Sequence, residues 1–182
     1  MAVSIPDVLF RCCSSSSAGR LHSGKYLQRA SGAPLREWDL LSEFESHSRH
    51  WEPISTALVS STTNFLRVIH LAFQKLCDGD GADQIEIVFI MPDSKASFAL
   101  HCAKDLACQL GWPKEETENY QYEYLFEWKI PECIVIHRIT MATLLRRGFN
   151  MRQLCGHTTF VDFPDIRVLN KQPLSQTFVW VV

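Results

Sequence analysis

The sequence predicts a single α+β domain over residues 1–182. Predicted strands outnumber predicted helices, and they do not alternate in the regular order that builds a doubly wound parallel sheet. With 182 residues, of which 46% are apolar, the chain is long enough for one domain with its own core. The last predicted strand, 177–182, stops at the chain end without a turn, so the chain is a candidate fragment of a longer protein.

The helix predicted after residue 64 has the clearest signal. Six apolar residues recur at the 3.6-residue spacing of one buried helix stripe: Phe65, Val68, Ile69, Ala72, Phe73 and Leu76. The polar run 60–64 supplies side-chain oxygens that can cap the first turn. After Cys77 the acidic and glycine residues of 78–81 predict a turn that ends the helix.

The other elements are predicted from apolar runs and the glycine, proline or polar residues that bound them. Strands are expected at 8–11, 54–59, 84–91, 122–128, 133–139, 160–163, 166–169 and 177–182. Further helices are expected near 35–45, from Asp93 or Ser94 to Leu110, and near 142–147.

Charge and composition limit the partners and the compartment. The net charge of −2 gives no electrostatic reason for tight non-specific nucleic-acid binding. No apolar run approaches bilayer-spanning length, so no membrane partner is expected. The seven cysteines are odd in number and contain no Cys-x-x-Cys pair, which favours a reducing compartment and argues against a zinc site. No secretory signal is visible, so a cytoplasmic location is expected, while secretion of a processed form stays open. The sequence does not indicate the oligomeric state.

Polar residues stand where three predicted strands begin or end. Arg11 ends the first strand, and Ser60-Ser61-Thr62 follows a later one. Glu123, two residues after Gln121, stands at the head of a third. Cleavage of the nicotinamide–ribose bond of NAD needs these groups. A guanidinium fork pairs with phosphate, hydroxyls orient a ribose, and a carboxylate stabilises the oxocarbenium-like charge that develops as nicotinamide leaves.

The order Arg, Ser-x-Thr, Gln-x-Glu resembles the Arg–Ser–Glu class of the ADP-ribosyltransferase superfamily. The resemblance implies a split two-sheet fold with flanking helices and with NAD, as substrate, in the cleft between the sheets. It assigns NAD binding to Arg11, Ser60, Ser61 and Thr62, and catalysis to Glu123 and Gln121. The implied activity is mono-ADP-ribosyl transfer to a macromolecule, or NAD hydrolysis. The stretch 123–131 also resembles a group of uncharacterised fungal domains with ADP-ribosyltransferase-like features.

The chain departs from this pattern in two places. The hydroxyl segment reads Ser-Ser-Thr where the superfamily has Ser-Thr-Ser, and Ser61-Thr62-Thr63 is an alternative register. Arginine-modifying members carry a glutamate where this chain has Gln121, which favours a non-arginine acceptor, a protein in preference to a nucleic acid, or water. Candidates for stacking on nicotinamide are Phe65, Trp51 and Tyr26. The alternative is a catalytically inactive domain of the same fold that serves as a protein-binding module.

Other kinds of site have weaker support. In the turn at 78–81 the glycine comes too early for a calcium loop. Cys102 and Cys155 lack the local signature of a cysteine hydrolase, and no phosphate-binding glycine loop is present. Taken singly, each residue of the Arg–Ser–Glu pattern reads more simply as a surface residue or a helix cap. The enzyme prediction therefore depends on their joint occurrence.

Overall fold

A computed structural model describes residues 5–17, 20–25, 33–48, 55–92 and 98–149. Within these ranges the chain forms six strands: β1 (Leu9–Cys13), β2 (Leu58–Thr62), β3 (Glu86–Ile90), β4 (Leu100–Cys102), β5 (Glu123–Glu127) and β6 (Val135–Thr140). The same ranges contain five α-helices: α1 (Glu37–Ser48), α2 (Phe65–Cys77), α3 (Ala103–Gln109), α4 (Lys114–Thr117) and α5 (Met141–Arg146). Single 3-10 turns at Glu118–Tyr120 and Glu132–Ile134 precede β5 and β6. Among these helices none is long and apolar enough to cross a membrane.

The six strands form one antiparallel sheet in the order β4-β5-β2-β1-β3-β6. Its centre is narrow, because β1 and β2 share a single registered pair, Phe10 opposite Thr62. On either side the pairing is longer, with five registered pairs between β1 and β3 and five between β2 and β5. We call the β1–β2 junction the seam.

The predicted α+β class is confirmed, and helices flank the sheet as expected. The predicted division into two separate sheets is not seen in the described residues, because the Phe10–Thr62 pair joins the two halves into one. The strands predicted at 160–163, 166–169 and 177–182 lie outside the described residues.

Three predicted boundaries are wrong because strand pairing decides them. Arg11 was expected to end the first strand, but β1 continues to Cys13, which pairs with Glu86 of β3. The hydroxyl run was expected to follow a strand at 54–59, but Ser60 and Thr62 lie within β2, opposite Leu125 and Glu123 of β5. The cap of α2 is instead Asn64, whose side-chain oxygen accepts from the backbone N–H of Arg67. Similarly, residues 100–102 were predicted to be helical and form β4 against β5.

Helices α1, α2 and α3 lie on one face of the sheet. Side chains alternate along a strand, so Leu58, Ser60 and Thr62 share a face, and Phe10 shares it as the partner of Thr62. Leu58 packs with residues of α1 and α3, which include Phe44 and Leu106. Phe10 packs instead with the apolar stripe of α2. The helices therefore cover the two halves of the sheet separately, and a cleft lies over the seam.

Candidate active site

The cleft encloses about 440 Å³, part of which is open to solvent. Strands β1, β2 and β5 and one side of α2 form it. The lining residues are Phe10, Arg11, Cys12, Ser60, Ser61, Thr62, Arg67, Val68, Leu71, Lys75 and Glu123. Five of the six site residues predicted from the sequence are among them. Gln121 is not, because it is exposed in the turn before β5.

Glu123 is buried at the edge of this cleft, with 2% of its surface exposed. It is the first residue of β5 and faces Thr62 across the β2–β5 pair. Neither carboxylate oxygen has a hydrogen-bond partner in the described part of the chain. Its Oε2 lies 3.8 Å from Nη2 of Arg67, which α2 carries over the cleft. A buried carboxylate with so few partners is energetically costly, which is typical of a functional position.

The proton affinity of Glu123 is set mainly by this burial. Loss of hydration raises the pKa of Glu123 to about 7. The Arg67 guanidinium, then the Ser60 hydroxyl and Arg11, oppose that rise. Glu123 therefore changes charge near neutral pH.

The hydroxyl of Ser60 is held by a histidine that the sequence pattern did not indicate. Oγ of Ser60 lies 2.7 Å from Nε2 of His47, and Nδ1 of His47 lies 2.7 Å from Oγ1 of Thr56. A neutral imidazole carries one N–H, so one of these hydroxyls donates to the ring and the other accepts from it. The predicted helix ended at residue 45, whereas α1 continues to Ser48 and brings His47 over β2. No short motif marks such a contact in the sequence.

Arg11 uses its guanidinium to join backbone segments. Its Nη1 donates to the carbonyl oxygen of Ser60 at 2.6 Å, and its Nε donates to that of Arg20 at 2.6 Å. Burial lowers the pKa of Arg11. The contacts with described residues are thus to carbonyl oxygens, and the phosphate-binding role predicted for Arg11 stays a prediction.

The other predicted residues serve local structure in this conformation. Ser61 donates through Oγ to the carbonyl oxygen of Tyr124 at 3.0 Å, which ties β2 to β5. Oγ1 of Thr62 accepts from the backbone N–H of Asn64 at 3.1 Å, where α2 begins. Among the stacking candidates, Phe65 packs against Phe10 with ring centroids 5.1 Å apart. Trp51 and Tyr26 lie outside the described residues.

Two further cations line the cleft and were missed at the sequence level. Arg67 and Lys75 both belong to α2 and stand on the side of the helix that faces the cleft. Both residues belong to the same helix as the buried stripe Val68, Ile69 and Ala72. The packing of that stripe on the sheet therefore fixes the side of α2 on which Arg67 and Lys75 stand. Helical spacing predicts that Arg67 and Lys75 share one side of α2. That this side faces Glu123 depends on the strands against which α2 packs, and the spacing does not indicate those strands.

Nucleophilic and metal chemistry find little support in the described residues. Burial raises the pKa of Cys12 to about 12, and it also raises the pKa of Cys102, so both thiols stay protonated at neutral pH. Cys155 lies outside the described residues. No group of three or more His, Cys, Asp or Glu side chains within the described ranges is placed to hold a metal ion. Asp80, in the turn at 78–81, accepts a hydrogen bond from the Ser16 hydroxyl at 2.8 Å.

Comparison with known proteins places the chain in a family. The model of a family described as a domain of unknown function (DUF7587) matches residues 4–144, more than half of the chain. The chain belongs to this family. The DUF7587 match includes the whole cleft, from Phe10 to Glu123. No curated protein matches the chain.

A solved structure, EcPltA, is similar to the chain. The sequence identity is 12%, the match covers 74% of this chain and 75% of EcPltA, and the TM-score is 0.46. A likeness at this level indicates nothing about activity.

Proposed function

We propose that the chain cleaves the nicotinamide–ribose bond of NAD, as a mono-ADP-ribosyltransferase or an NAD glycohydrolase. The observation that supports this most is the position of Glu123. It is a buried carboxylate with a pKa of about 7, at the edge of a cleft that Ser60 and Arg11 also line. A preorganised carboxylate in a poorly hydrated site stabilises developing positive charge far better than one in water.

In the proposed reaction the bond between the anomeric carbon and the nicotinamide nitrogen breaks, and the electron pair leaves with nicotinamide. The ribose becomes an oxocarbenium-like cation, and ionised Glu123 stabilises it through a ribose hydroxyl. The acceptor then forms the new bond to the anomeric carbon and releases its proton. Ser60, held by His47 at 2.7 Å, orients the ribose beside Glu123.

The acceptor is proposed from Gln121. This side chain is exposed two residues before Glu123, so it can meet an incoming molecule. An amide is neutral, so it gives no ion pair to an arginine guanidinium, but it can hydrogen-bond an amide or a hydroxyl. Because the chain has a net charge of −2, we propose a protein side chain other than arginine, or water, in preference to a nucleic acid.

One observation favours the alternative of an inactive, protein-binding domain. Glu123 is only 2% exposed and lies next to Arg67, so NAD must displace part of this arrangement to reach the carboxylate. Binding of NAD distinguishes the two candidate functions, because the enzyme requires NAD as its substrate and an inactive protein-binding module does not.

The test is the thermal stability of the purified chain with increasing NAD. A ligand that binds only the folded state adds about 2.7 kcal/mol of stability at a hundredfold excess over its Kd. We expect NAD to raise the melting temperature of the wild type, and adenosine at the same concentrations to raise it less. An unchanged melting temperature at saturating NAD would count against the proposed enzyme and in favour of the alternative.

A further inference from the structure

One side of α2 carries a basic stripe along the cleft. The stripe consists of residues spaced four positions apart, Arg67, Leu71 and Lys75. This spacing places them on one side of the helix, and all three line the cleft. The rise of a helix separates the first from the last by about 12 Å. Arg67 stands at the Glu123 end, whereas Lys75 stands near the Cys12 thiol of β1.

The charge of the cleft differs in sign from that of the chain. Its lining contains three cations, Arg11, Arg67 and Lys75, and one carboxylate, Glu123. The excess is two positive charges when Glu123 is ionised, in a protein of net charge −2. Cations concentrated in a cleft of low dielectric attract an anionic ligand.

Lys75 is the cation of this set that is available to a ligand. Arg11 donates to two backbone carbonyls, and Arg67 lies 3.8 Å from Glu123. The side-chain ammonium of Lys75 makes no hydrogen bond or ion pair with any of the described residues, and it influences Asp80 and Cys12 at longer range. Its flexible ammonium suits a phosphate group that needs charge rather than a fixed fork.

We infer that Lys75 binds the diphosphate of a dinucleotide that lies along α2, with its ribose at the Glu123 end of the cleft. The inference rests on the proposed function for the identity of the ligand, and it assigns the phosphate contact to Lys75 instead of Arg11. The two negative charges of a diphosphate match the excess charge of the cleft.

The experiment compares Lys75→Met with the wild type by titration calorimetry. NAD, inorganic pyrophosphate and nicotinamide riboside, which has no phosphate, are the three probes. Lys114→Met is the matched control, because it removes the same charge from an exposed residue of α4 outside the cleft. We expect Lys75→Met to weaken binding of NAD and of pyrophosphate by about tenfold or more, with the riboside and the control unchanged. Circular dichroism checks that both variants fold.

The outcomes separate the two proposals. If the wild type binds NAD, and Lys75→Met binds NAD and pyrophosphate as tightly as the wild type does, Lys75 does not contact the diphosphate. The proposed function then stands. If pyrophosphate binds through Lys75 but NAD does not bind, an anion site at Lys75 is supported and NAD as its ligand is wrong. If the wild type binds neither NAD nor pyrophosphate, both proposals are wrong.

Discussion

The guanidinium of Arg11 donates to the carbonyl oxygen of Ser60 at 2.6 Å, across the seam where β1 and β2 share one registered pair. The same side chain donates to the carbonyl oxygen of Arg20 in the loop after β1. One residue thus links the two halves of the sheet and the adjoining loop. The position of Ser60 relative to β1 depends on it.

We expect Arg11→Met to lower the free energy of unfolding by about 2–5 kcal/mol, because two hydrogen bonds from a charged donor are lost and the part-buried carbonyl of Ser60 is left unpaired. Urea denaturation measures the change. The control is Arg146→Met, which removes an exposed arginine and should change stability by less than about 0.5 kcal/mol. Equal midpoints for the two variants would show that Arg11 does not hold the seam.

His47 and Ser60 are expected to act as a unit. The 2.7 Å contact fixes the Ser60 hydroxyl, so His47→Ala and Ser60→Ala should each lower kcat for nicotinamide release by roughly tenfold or more, with a smaller effect on KM. The double variant should be no slower than the slower single variant, because both changes remove the same interaction. If the two effects multiply, the residues act independently and this assignment is wrong.

The stability of the fold should depend on pH through Glu123. Its pKa is raised from an ordinary value near 4.5 to about 7, so the folded state binds this proton more tightly than the unfolded state. The free energy of unfolding therefore falls as pH rises from about 4.5 to 7, by about 3 kcal/mol from this group. Glu123→Gln removes the buried charge. It should be more stable than the wild type at pH 8 and similar at pH 4.5, as measured by chemical denaturation at both values. An equal difference at the two pH values would contradict the raised pKa.

Arg67 should shift the pH dependence of the reaction. The charged groups that face Glu123 are Arg67 from α2 and Arg11 from β1, and Tyr120 faces it as a neutral phenol whose pKa is raised to about 12. Removing the positive charge in Arg67→Gln disfavours ionised Glu123, so the rise of kcat with pH should move to higher pH than in the wild type. The pH–rate profile measures this. A profile with an unmoved midpoint and only a lower plateau would indicate a purely structural role for Arg67.

The sequence predicted the α2 stripe and five of the residues that line the cleft, because the patterns that indicate them are local. Helical periodicity located Phe65 to Leu76, and apolar runs located the strands that carry Arg11 and Glu123, although Arg11 lies inside β1 and not at its end. It did not place Ser60 inside β2, since that position is decided by pairing with β5, more than 60 residues further along the chain. His47 and Lys75 were missed for a related reason. Their contacts depend on how α1 and α2 pack over the sheet, which composition and spacing do not encode.

The most direct test of the central proposal is release of nicotinamide from NAD labelled in the nicotinamide ring, by the wild type and by Glu123→Gln. Glutamine keeps the size and hydrogen bonding of the side chain but loses the charge. The account predicts release by the wild type and release slower by about a hundredfold in the variant, with a similar Kd for NAD. Equal rates for the two proteins, or no release by a wild type that binds NAD, would contradict it.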